Sequence, residues 1–142
     1  MYDEILLQVK SEILRYKKEA IKIYGIPCEV CFCDNKSIGA LSVVGEKKLM
    51  FDNAYLLDLA TEYLIKSYDF SLFYDDSVKD WLQERIAELN TVESIALMLF
   101  SHEYAHLLDY RTHPSNIHLL IDEHDKVFIK LWTGVYNKLK GD

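Results

Sequence analysis

A chain of 142 residues, half of them apolar, has the length of one ordinary domain and can bury a sizeable core without disulfides or repeats. Its net charge of −7 argues against a surface built to neutralise phosphates: nucleic-acid affinity rests on clustered Lys and Arg, and the pairs Lys17-Lys18 and Lys47-Lys48 are too short to supply it. No apolar run approaches the roughly eighteen residues that span a bilayer, and the opening Met1-Tyr2-Asp3-Glu4 is acidic where a secretory signal is basic, so a cytoplasmic protein with a single domain over 1–142 is expected.

From Asp3 to Tyr24, Ile5, Leu6, Val9, Ile13, Tyr16, Ala20 and Ile23 recur at intervals of three and four, which predicts an amphipathic helix stopped by Gly25 and Pro27. Three β-like runs follow, Cys28 to Cys33, Ile38 to Val44 and Lys48 to Phe51, separated by the turn clusters Asp34-Asn35-Lys36 and Gly45-Glu46. They predict a small three-stranded sheet with a hairpin. The run Glu29-Val30-Cys31-Phe32-Cys33 alternates as a strand does, and three cysteines, Cys28, Cys31 and Cys33, make a poor disulfide framework, so they read as small buried hydrophobes.

After Asp52-Asn53, a candidate N-cap, the stretch Ala54 to Ser67 returns to helical spacing, with Leu56, Leu57, Ala60, Leu64 and Tyr63 toward the core. Tyr68 to Asp75 reads as a loop. Ser77 can cap a short helix through Leu89, whose Trp81, Leu82, Ile86 and Leu89 share a face. Asn90, with Glu93 three residues on, resembles a capping box for a helix from Thr91 to Arg111. A last helix is expected from near Asp122 to Gly141, giving an α+β fold.

The helix from Thr91 to Arg111 is apolar on nearly every side, which predicts a central, buried element. Into it the sequence places His102-Glu103-Tyr104-Ala105-His106. Burying His102, Glu103 and His106 without partners is costly, and a divalent metal satisfies them economically. Residues four apart stand one turn above each other, so both imidazoles can reach one ion at about 2.0 to 2.1 Å. Glu103 lies one position off that face, where it can act on a metal-bound water without ligating the ion, as H-E-x-x-H zinc hydrolases require.

The chemistry expected is hydrolysis of peptide bonds in a protein or peptide substrate. Zn2+ would lower the pKa of its bound water toward 7, with Glu103 as general base and then general acid. Tyr110, Arg111, His113, His118 and Tyr136 are candidates for stabilising the oxyanion, and the strand from Ile38 to Val44 can offer an edge to an extended substrate. All five histidines fall in the last third, so candidates for a third ligand abound: His113, His118, Asp122, Glu123 and His124. His113 lies about 10 Å beyond His106 if the helix continues, although Pro114 permits an earlier break. His118 lacks helical support, whereas His124 would ride on a helix anchored by Val127, Phe128, Leu131 and Trp132. Phe128 itself reads as packing behind the site.

His102-Glu103-Tyr104-Ala105-His106-Leu107-Leu108 and His124-Asp125-Lys126-Val127-Phe128 together resemble the SprT-like zinc metallopeptidases, minimal gluzincin-type domains in which a histidine beginning the next helix follows the H-E-x-x-H helix. The run from Gly39 to Leu56 is loosely similar to that group's strand, hairpin and asparagine-containing turn. The resemblance implies a zincin-like fold with N-terminal helix, hairpin-bearing sheet, central motif helix and C-terminal helix, and implies His102, His106 and His124 as zinc ligands with Glu103 catalytic. Two other readings stay open. One is a regulatory metallopeptidase resembling the ImmA/IrrE group, with Glu123 or Asp109 as an acidic third ligand. The other is a non-catalytic module, stapled by zinc or binding no metal.

Overall fold

A computed structural model of the chain describes residues 2–35, 37–65, 76–109 and 124–141. The architecture is α+β: helix α1 (Tyr2–Tyr24), strands β1 (Glu29–Cys33), β2 (Ala40–Val43) and β3 (Lys48–Asp52), then helices α2 (Asn53–Ile65), α3 (Asp76–Glu84), α4 (Val92–Leu108) and α5 (Lys126–Lys140). The expected loop over 68–75, the segment 110–123, and the side chains of Tyr63 and Leu64 lie outside the described residues.

Helix α1 buries Val9, Ile13, Tyr16 and Ala20, the stripe its spacing predicts, but Ile23 turns out to solvent at 41% exposure, because the burying surface ends a turn before the helix does. Gly25 takes a left-handed conformation (φ +73°) and returns its N–H to the Ile21 carbonyl, the C-cap that suits glycine. The sheet has the order β1-β3-β2, with β1 parallel and β2 antiparallel to β3. The expected hairpin is β2 to β3, turned by a short 3₁₀ segment (Val44–Glu46). Leu49 and Phe51 of the central strand are fully buried. The cysteines are free and β1 carries two of them, while Cys28 is buried and its thiol is pushed up to about 11 by loss of solvent, which keeps it protonated and unreactive.

Asp52 ends β3 and begins α2 with one carboxylate: Oδ2 accepts from the Tyr55 N–H (2.9 Å) and Oδ1 from the Asn35 N–H (2.7 Å). Leu56, Leu59 and Ala60 of α2 are buried; Leu57 is only half so. Helix α3 is shorter than its spacing suggests, giving way to turns after Glu84, so Ile86 faces solvent at 45% exposure instead of sharing the buried face of Trp81 and Leu82.

Helix α4 is the centre of the molecule. It packs against α1, α2, α5 and β2, and every residue from Ile95 to Ala105 is buried. Its capping box is Thr91 with Ser94, not Asn90 with Glu93: Thr91 Oγ1 accepts from the Ser94 N–H (3.0 Å) while Ser94 Oγ accepts from the Thr91 N–H (3.1 Å). Glu93 is drawn instead to α1, accepting from Arg15 Nη2 (2.9 Å) and the Tyr16 hydroxyl (3.3 Å). The helix also stops earlier than Arg111. Asp109 is extended (φ −78°, ψ 94°), its N–H closing the last turn on Ala105.

Helix α5 starts at Lys126, four residues after the expected Asp122, because Asp125 is the N-cap and accepts from the Phe128 N–H at 3.1 Å. Gly141 (φ +100°) closes it. Phe128 and Trp132 are fully buried, whereas Val127, expected to anchor the helix, is 53% exposed because it sits on the opposite side of the first turn.

Candidate metal centre

The two histidines of α4 stand one turn apart, and the residue that joins them comes from the chain just before α5. Imidazole nitrogens of His102, His106 and His124 all lie within 4.8 Å of one another. The ring centroids form a nearly equilateral triangle, with sides of 5.0 Å (His102 to His106), 5.0 Å (His102 to His124) and 5.2 Å (His106 to His124). The planes are inclined by 76°, 49° and 55°, so the rings do not stack on each other but splay about a common point. His124 is not on the helix as anticipated. It precedes the N-cap, and the Asp125 hydrogen bond to the first turn of α5 fixes the backbone beside it.

The cradle for these rings is one face of α5. The Phe128 ring stacks on His106 (4.2 Å, 19°) and meets His102 and His124 more nearly edge-on, both at 5.2 Å. One turn on, Trp132 stands perpendicular to His102 (4.4 Å, 88°), donates its indole N–H to Ser101 Oγ (3.1 Å) and is backed by Trp81 stacked at 3.7 Å. Large apolar rings exclude water from the imidazoles, and this controls their charge. His102 is held well below the ordinary histidine range by burial, reinforced by His106 and His124. His106 is driven down to about 3 by burial and by His124, with Asp109 opposing the shift. Both are therefore neutral at pH 7, which is the form that ligates a metal.

Three imidazoles with converging nitrogens fit a divalent ion of borderline softness, and among the described residues they are the group that could hold one. Asp109, the acidic alternative among the described residues, is buried at the end of α4 but does not join the three nitrogens. Glu103 is buried too, at 7% exposure, and Ser42 Oγ of β2 lies 2.8 Å from its Oε1 and 2.7 Å from its backbone carbonyl.

Of the other anticipated site residues, Tyr136 is removed from the chemistry: its hydroxyl donates to Glu88 (2.9 Å) and its ring packs edge-on against Trp81. Tyr110, Arg111, His113, Pro114, His118, Asp122 and Glu123 lie outside the described residues. Sequence reasoning missed Ser42 and Trp132 as neighbours of the site. Trp132 carried no distinguishing signal beyond its size. Ser42 carried none either, since only in the folded chain does Leu41 point outward, at 44% exposure, and the hydroxyl inward.

Comparison with family models, curated proteins and solved structures finds no match to this chain. Its functional reading rests on the arrangement of its own residues. No described helix is long and apolar enough to cross a membrane.

Proposed function

We propose that the chain is a zinc-dependent metallopeptidase, related to the SprT-like group, with His102, His106 and His124 as the protein ligands and Glu103 as the general base. The observation that carries this reading is the convergence of three imidazoles, two from α4 and one from the residue before the N-cap of α5, with the buried Glu103 next to His102 in the same helix. A zinc ion bound there would lower the pKa of a coordinated water toward 7 and polarise a scissile carbonyl. Glu103 takes the proton of the attacking water and returns it to the departing amine. Phe128 and Trp132 exclude solvent from the imidazole side of the site and hold the ring planes.

Among the described residues the donors that converge are three histidines, and three protein ligands with a fourth position left to water is the composition of catalytic zinc sites. That convergence favours His124 over an acidic third ligand of the ImmA/IrrE kind. The substrate is a protein or peptide. The strand β2 supports that choice, because it lies at one edge of the sheet and packs on α4, where an extended peptide pairing main chain to main chain would pass the site.

Zinc affinity of single alanine variants at His124, His113, His118 and Glu123 tests the ligand set. Loss of binding in the His124 variant alone is expected. Undiminished binding in that variant, with loss at Glu123, would transfer the chain to the acidic-ligand class.

A further inference from the structure

A half-buried strand normally turns its apolar side chains inward and its polar ones to water. In β2 the order is reversed at Leu41 and Ser42, so the hydroxyl is carried into the interface with α4. It meets one residue there, 61 positions away, and meets it twice: 2.7 Å to the Glu103 carbonyl and 2.8 Å to Oε1 of the same residue. A hydroxyl has one proton to donate, and these two acceptors share it, so the carboxylate is folded back toward its own helix backbone. This acceptor is largely withdrawn from competing water, and a hydrogen bond there is stronger than in solvent.

We propose that Ser42 is a positioning residue for Glu103, selecting the side-chain rotamer from which the carboxylate serves as the base. The proposal rests on the reading of Glu103 given above. A glutamate has three side-chain torsions to fix, and a displacement of about 1 Å at a reacting group can cost about 100-fold in rate. The contact also joins the base to the strand on which an extended substrate would lie, so one hydroxyl sets the base relative to the peptide as well as to α4.

The test compares the full chain, Ser42→Ala and Ser42→Thr, each loaded with zinc, using fluorescently labelled unfolded casein as substrate. Ser42→Ala is expected to lower kcat by about 10- to 100-fold, with KM, zinc affinity and melting temperature close to those of the unmodified chain. Ser42→Thr, which keeps the hydroxyl, restores kcat. A second readout needs no turnover: in a crystal structure of metal-free Ser42→Ala, Glu103 leaves the rotamer that faces β2 while the α4 backbone stays in place. An unmoved Glu103, an unchanged kcat, or a loss that tracks a fall in melting temperature and is not rescued by threonine would overturn the proposal. If Glu103→Gln hydrolyses casein as fast as the unmodified chain, the reading of Glu103 as base fails separately. The rotamer comparison then decides Ser42, displacement supporting the positioning role and an unmoved side chain overturning it.

Discussion

The ring of Phe128 lies nearly parallel to that of His106, with centroids 4.2 Å apart and planes inclined by 19°, so the core of α5 and the candidate metal centre share a surface. Phe128 is fully buried, and truncating it removes both core volume and the wall behind an imidazole. Phe128→Ala is expected to cost about 3 to 5 kcal/mol of stability. Zinc affinity should fall with it, because His106 gains rotamers. Urea unfolding with chelator present and a zinc titration measure the two effects, and Phe128→Leu should recover most of the first and less of the second.

Removing a ligand should uncouple metal from stability. For the unmodified chain, zinc at about 100 times its Kd should raise stability by about 2.7 kcal/mol, since binding to the folded state alone would favour it. His102→Ala and His106→Ala should lose that increment, and chelation should leave their melting temperatures unchanged. A zinc-dependent rise in melting temperature in either variant, equal to that of the unmodified chain, would count against their role as ligands.

Acid should destabilise the metal-free protein through the same residues. His102 and His106 resist protonation when folded, His106 down to about pH 3, whereas an unfolded histidine takes a proton near pH 6.5. Between these limits the unfolded state binds more protons, so stability is present above about 6.5 and declines as pH falls, by about 1.4 kcal/mol per pH unit for each suppressed imidazole. His106→Gln should flatten this slope. Chelator-treated samples unfolded in urea at pH 7.5, 5.5 and 4.5 provide the comparison, and identical slopes would remove His106 from the explanation.

Asp125 links helix capping to the third imidazole. Its carboxylate holds the Phe128 N–H immediately after His124. Asp125→Ala should cost about 1 kcal/mol as a lost N-cap. It should also weaken zinc binding by freeing the backbone that carries His124. Asp125→Ser, which can still cap, should behave like the unmodified chain in both measurements.

Local patterns foretold much of this. Periodicity in α1, alternation across the strands and the unbroken apolar character of α4 are properties of short windows, and so is the i, i+4 spacing of His102 and His106. Where the reading failed, a distant residue had intervened. Glu93, three residues after Asn90, has the spacing of a capping group, but Arg15 and Tyr16 from α1 claim it and Thr91 caps with Ser94. Spacing alone starts α5 near Asp122, while Asp125 caps it. Ser42 could not be assigned from spacing at all, as its partner is 61 residues away and the strand-to-helix contact exists only in the folded chain.

The central claim is tested most directly by measuring hydrolysis of an unfolded protein by the zinc-loaded chain and its Glu103→Gln variant, with the zinc content of each determined. One zinc per chain is expected in both, and hydrolysis reduced by about 100-fold or more in the variant, because Gln keeps the size and the hydrogen bond from Ser42 but cannot take a proton. Unimpaired hydrolysis by Glu103→Gln, or an unmodified chain that takes up no zinc from a zinc-replete solution, would contradict the claim.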